Sequence, residues 1–75
     1  MIKITTNYLP KKQIVIKEHI KNSIKNTVII DCLTNDVFIN GFKHTQKYYP
    51  SNDINEYANM IVNRINEHKT KIFME

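Results

Sequence analysis

The sequence predicts an α+β domain: an antiparallel sheet of three to four strands with one face covered by a C-terminal amphipathic helix. Three observations carry this expectation. Ile54, Tyr57, Ala58, Ile61 and Ile65 recur at helical spacing after a run of capping residues. The middle of the chain is rich in β-branched and aromatic residues set between turn formers. The single glycine, Gly41, and the only prolines, Pro10 and Pro50, punctuate these segments. With 75 residues and no repeat, low-complexity tract or linker-like stretch, residues 1–75 read as one domain.

The order of elements reads ββββα, with βαββα as the alternative. Met1 to Thr6 is a strand candidate. Lys11 to Asn26 is the segment with two readings. As a helix it would begin at Pro10 and align Ile16, Ile20 and Ile24, but Ile14 would fall on the polar side. As a strand it sets Ile14, Ile16 and Ile20 on one face and Lys17, His19 and Lys21 on the other, with Glu18 interrupting the apolar side. The β-branched run Ile14-Val15-Ile16 favours the strand. Thr27 to Leu33 is a further strand, ended by the turn formers Thr34-Asn35-Asp36. From Val37 the preferred reading is one longer strand to Tyr49 with Gly41 as a bulge. The competing reading makes Asn40-Gly41 a type I′ hairpin turn and leaves only Val37-Phe38-Ile39 before it. Pro50-Ser51-Asn52-Asp53 then offers several N-caps, and Asp53 with Glu56 has capping-box spacing. The helix is expected over about residues 53–69. Asn55, Asn59, Asn63 and Asn66 fall largely outside its apolar stripe.

Composition narrows the function classes. Cys32 is the one cysteine, so no intramolecular disulfide can form. The N-terminus does not resemble a secretory signal, and no apolar run exceeds three residues, so a membrane span is not expected. Together these predict a cytoplasmic protein, of a bacterial or a host cell. Net charge is +4, but Arg64 is the sole arginine among eleven basic residues, which argues against bidentate readout of duplex bases. Ile, Lys and Asn, all with A/T-rich codons, supply 33 residues, a bias common in small phage and mobile-element proteins.

No residue set singles out one chemistry. Cys32, His19, His44 and His68 are scattered and form no close ligand pair, so neither metal nor cofactor is expected. Cys32 beside Asp31 in an apolar strand reads as a small hydrophobe rather than a nucleophile. With one glycine there is no phosphate-cradling loop. A small ribonuclease centred on His44 would draw on the Lys and Tyr residues between Phe42 and Tyr49. As a strand, however, that segment places His44 and Tyr48 on one face and Lys43 and Lys47 on the other. A single-stranded nucleic-acid binder would use Lys43, Lys47, Tyr48 and Tyr49, with Lys17 and Lys21 as a second basic stripe. The apolar tail Ile72-Phe73-Met74 and the exposed strand edges suit a contact with a partner protein or a second copy of the chain. The sequence therefore places first a non-enzymatic protein-interaction module, such as a regulator or inhibitor of a host protein. Nucleic-acid binding comes second and the ribonuclease third.

Overall fold

A computed structural model describes the backbone of residues 1–74 and the side chains of residues 1–68. Five strands, β1 (Ile2–Asn7), β2 (Gln13–Ile20), β3 (Ser23–Asp31), β4 (Val37–Ile39) and β5 (Phe42–Lys43), precede one helix, α1 (Ile54–Met74). The strands form a single antiparallel sheet in the order β1-β2-β3-β4-β5, each paired with its neighbour in sequence. The chain is thus an α+β fold, with five strands where three to four were expected.

Two turns set the strands apart from the expected ones, and the second adds the fifth strand. Residues 11–26 are neither one helix nor one strand. A single strand of that length would run about 50 Å, beyond the 39 Å greatest extent of the molecule. Instead the chain reverses at Lys21-Asn22, with Lys21 in the left-handed region at φ 57°. The reversal pairs Ile14 with Ile30 and Ile16 with Val28. The second turn is Asn40-Gly41, with φ of 49° and 89°, the positive pair a type I′ hairpin requires. The preferred bulge-within-a-strand reading is therefore corrected, and β4 is only three residues long. Nor does a strand run to Tyr49, because the chain leaves the sheet after Lys43. The Tyr48 N–H donates to the Asn35 carbonyl at 2.9 Å. Its ring turns into the core, edge-on to Tyr57 with centroids 4.8 Å apart.

The helix begins where its stripe and cap predict and runs to Met74, past the expected end near residue 69. Asp53 Oδ1 accepts from the N–H groups of Asn55 at 2.8 Å and Glu56 at 3.1 Å, satisfying two of the donors a helix start leaves open. Tyr57, Ala58, Ile61 and Val62 pack on Ile16, Val28, Ile30 and Val37, with Ile2, Ile4, Ile14, Ile39, Ile54 and Ile65 around them. Burying each Val or Ile of this kind is worth roughly 1.5–3 kcal/mol. Val15 lies on the opposite sheet face, in register with Ile29, and Ile29 with Phe38; Val15 is buried although no helix covers that side. Among the described residues no helix is long and apolar enough to cross a membrane.

At the far end of the helix the core turns polar. Asn26, 1% exposed, donates to Glu18 Oε1 at 2.7 Å and accepts from Asn40 Nδ2 at 3.0 Å. Asn66 on α1 donates to Glu18 Oε2 at 3.2 Å. Asn40 in turn accepts from the Thr27 N–H at 2.8 Å and returns its own N–H to the Thr27 carbonyl at 2.8 Å. This network joins α1, β2, β3 and the Asn40-Gly41 turn. Replacing Asn26 by Ala removes a donor to the half-buried Glu18 carboxylate and the acceptor of the exposed Asn40 amide, and leaves a hole where a fully buried side chain stood. We expect Asn26→Ala to cost about 2–3 kcal/mol, read as a lowered urea midpoint.

Candidate interaction surface

The meander brings the β1–β2 loop, the β3–β4 loop and the segment leading into α1 to one end of the sheet. The first two are joined by the Cys32 N–H donating to the Lys12 carbonyl at 3.1 Å. The Lys47 ammonium donates to the Thr34 carbonyl at 3.3 Å, and the Tyr48 main chain holds the third segment to Asn35. Two clefts open at this end and share Lys12 and Cys32. The larger, about 530 Å³, runs past Tyr8, Ile14, Asn35, Tyr48 and Asn52 to the start of the helix. The smaller, about 420 Å³, lies between Pro10-Lys11 and Leu33.

Around these clefts the surface is apolar and basic. Leu9 is 89% exposed, Leu33 82% and Tyr8 68%. Single exposed apolar residues are ordinary on a protein surface; here Tyr8 lines the larger cleft, Leu33 the smaller, and Leu9 stands exposed between Tyr8 and Pro10, which makes this end the candidate surface. The Lys12 ammonium sits 5.9 Å from the centre of the Tyr8 ring, within cation–π range. Among the described residues neither Lys11 nor Lys12 has an ion-pair partner, whereas Lys43 and Lys47 approach Asp36 Oδ1 at 3.9 and 3.8 Å. The positive charge at the loop tips is thus uncompensated, and the charge near β5 is partly neutralised.

The residues singled out from sequence do not gather. Lys17 lies on the uncovered sheet face, directly across from Lys3. Lys21 occupies the β2–β3 turn at the opposite end from the clefts. Lys43 and Lys47 share Asp36. Tyr49 is exposed, but Tyr48 is 6% exposed and its hydroxyl donates to the Asn52 carbonyl at 2.6 Å, so its ring has no free face for a base. His44 is half-buried in the segment after β5, its N–H given to the Val37 carbonyl at 2.7 Å. The side chains of Ile72, Phe73 and Met74 lie outside the described residues. Tyr8, Leu9, Lys11, Lys12 and Leu33 were not anticipated from sequence. Their available signal is local: Leu9 and Leu33 each sit directly against a turn former, Pro10 or Thr34, where no core position exists.

Two tyrosines of the core, Tyr48 on the larger cleft and Tyr57 on α1, hold their phenol protons above the ordinary range. Burial pushes the Tyr48 phenol above its ordinary value of 10.0, with Asp53 and Cys32 adding to the rise. Burial also raises Tyr57 above 10.0, with Tyr48 adding to it and Arg64 opposing. A folded state that holds these protons more tightly than the unfolded chain loses stability as pH climbs past about 10. We expect stability to be unaffected by these two groups at neutral pH and to fall above pH 10. Urea unfolding at graded alkaline pH, with the phenolate absorbance followed in parallel, checks this.

No protein-family model, curated protein or solved structure matches this chain.

Proposed function

We propose that this chain is a non-enzymatic, cytoplasmic protein-interaction domain of the regulator or inhibitor kind, which binds a partner protein through the loop-tip end of its sheet. The observation that carries this reading is the exposure of Tyr8 and Leu33 on two adjoining clefts, with exposed Leu9 between Tyr8 and Pro10, flanked by Lys11 and Lys12, which have no ion-pair partner among the described residues. Large apolar anchors beside uncompensated charge are what a partner with a complementary surface requires. The matching chemistry is an apolar side chain for the Pro10–Leu33 cleft and carboxylates opposite the lysines. An L9D/L33D double variant keeps the core intact, because both side chains are exposed. We expect tagged wild-type protein to recover a partner that the variant loses, with direct binding to the purified partner weakened at least tenfold. Equal recovery and equal affinity for both proteins would remove the loop tips from the interface.

A specific observation also favours a second reading, binding of single-stranded nucleic acid on the uncovered sheet face. Lys3 and Lys17 stand directly opposite each other across β1 and β2. Like charges in that position are destabilising unless an anion relieves them. Phe38 and Lys43, themselves a register pair, lie on the same face. On this reading a K3Q/K17Q variant binds a single-stranded pool more weakly, and its log-affinity against log-salt slope falls by about 1.4. An unchanged slope in fluorescence anisotropy, or no binding at physiological salt, leaves the face without that role.

A further inference from the structure

The sheet has one long open edge. β5 ends the other side with two residues, next to a three-residue β4. β1 has six residues, contains no proline and pairs only with β2. Edges of this kind are normally blunted by shortness, proline, bulges or inward-pointing charge. Here the only charge is Lys3, whose side chain lies on the uncovered face.

The direction in which the β1 backbone groups point can be worked out. The Met1 ammonium donates to the His19 carbonyl at 2.8 Å, and the His19 N–H donates to the Met1 carbonyl at 2.8 Å. Met1 and His19 are therefore a mutually bonded pair, and an antiparallel ladder alternates bonded and non-bonded pairs. In the observed register Lys3–Lys17, Thr5–Val15 and Asn7–Gln13 are also bonded pairs. The N–H and C=O groups of Ile2, Ile4 and Thr6 consequently point away from the sheet. The side chains of these three residues share the helix-facing side. There Ile2 and Ile4 are only half-buried, beside a groove of about 460 Å³ between β1 and the Asn55, Asn59 and Asn63 side of α1.

We infer that a second copy of this chain docks on this edge, β1 against β1, antiparallel about a two-fold axis at Ile4. In that register Ile4 faces Ile4 of the second copy, and Ile2 faces its Thr6. Each of these pairs joins residues whose backbone groups point outward, so every free edge group of the three residues is matched. Both helices then lie on the same side of one continuous sheet. The paired Ile4 residues, with Cα atoms about 5.5 Å apart, cover each other's half-exposed side chains. Lys3 is set opposite Thr5 of the second copy. A register centred on Lys3 would oppose two ammonium groups and bond only Ile2 with Ile4, leaving the outward groups of Thr6 unmatched. One centred on Thr5 bonds only Ile4 with Thr6 and leaves Ile2 opposite Tyr8, beyond the strand, and those centred on Ile2 or Thr6 pair fewer residues still. Such an isologous contact closes on itself, leaving only the short β5 edges open. It does not rest on partner binding at the loop tips.

The test is the mass of the full chain by sedimentation equilibrium, with circular dichroism as the check on folding. The wild-type protein is expected at twice the 8.9 kDa chain mass. Thr5 is exposed and faces Lys3 of the second copy twice over. T5E therefore tightens the dimer by on the order of tenfold, and T5K weakens it by a similar factor. T6P removes only an outward N–H, leaves the β1–β2 ladder whole and is expected to give folded monomer. L9D/L33D leaves the mass unchanged, so failure at the loop tips and failure at the edge are distinguishable. Wild-type protein at the monomer mass at every attainable concentration overturns the inference, as does a dimer indifferent to T5E, T5K and T6P.

Discussion

A single helix has to cover a five-stranded sheet, and most of the architecture answers that constraint. The helix presents one stripe, so one sheet face supplies the core and the other is left to its own side chains. On the covered face Ile16, Val28, Ile30 and Val37 meet Tyr57, Ala58, Ile61 and Val62 and exclude water almost completely. The helix is narrower than the sheet, so its flanks need other material. On one side Tyr48 leaves the chain after β5 and fills the gap beside Tyr57. On the other, Ile2 and Ile4 remain half-covered along β1.

The two ends of the helix are held by different physics. Its N-terminus is fixed by the Asp53 cap and by the Tyr48 hydroxyl bound to the Asn52 carbonyl, both local contacts that set where the helix starts. Further along, Asn66 reaches Glu18 across 48 positions of sequence and joins the amides of Asn26 and Asn40. Apolar packing alone would tolerate a sliding of the helix along the sheet. The directional bonds of a buried polar group do not, so this network defines where the helix sits. The same division separates the two ends of the sheet. The loop tips, anchored by main-chain bonds, present Leu9, Leu33 and two lysines without an ion-pair partner among the described residues, while the opposite end carries the Asn26–Glu18–Asn66 network beside the exposed Ile20, Ile24 and Phe42.

What could be read from sequence was what local chemistry dictates. The stripe from Ile54 to Ile65, the Asp53 cap, the strand at Met1–Thr6 and the turn at Thr34-Asn35-Asp36 each follow from residues within a few positions of one another. The Lys21-Asn22 reversal was illegible because the positive φ falls on a lysine, and nothing in its side chain advertises that conformation. Asn40-Gly41 does carry the signal of its turn, but the three-residue strand before it is shorter than local sequence chemistry leads one to expect. Tyr48 and Asn66 were misplaced for a common reason. A tyrosine beside lysines reads as surface, and an asparagine outside an apolar stripe reads as solvated. Both are recruited by partners distant in sequence, Tyr57 and Glu18. The loop-tip site was hardly legible, because exposure of Leu9 and Leu33 depends on the absence of anything packed over them.

The meander order has a consequence for how the chain assembles. Every strand pairs with the one before it, so the sheet closes through a succession of short loops, each with a small entropic penalty. Local topology of this kind favours rapid folding. Val15, buried on the uncovered face alongside Ile29 and Phe38, gives the nascent β2-β3-β4 unit apolar contacts of its own before the helix arrives. The contacts between Asn66 and Glu18, like those of Ile2 and Ile4 with the helix, close long loops and belong to the docking of the helix. Until that step the apolar face from Ile16 to Val37 stands open to water, and the interval between sheet closure and helix docking is when the chain is most exposed to aggregation.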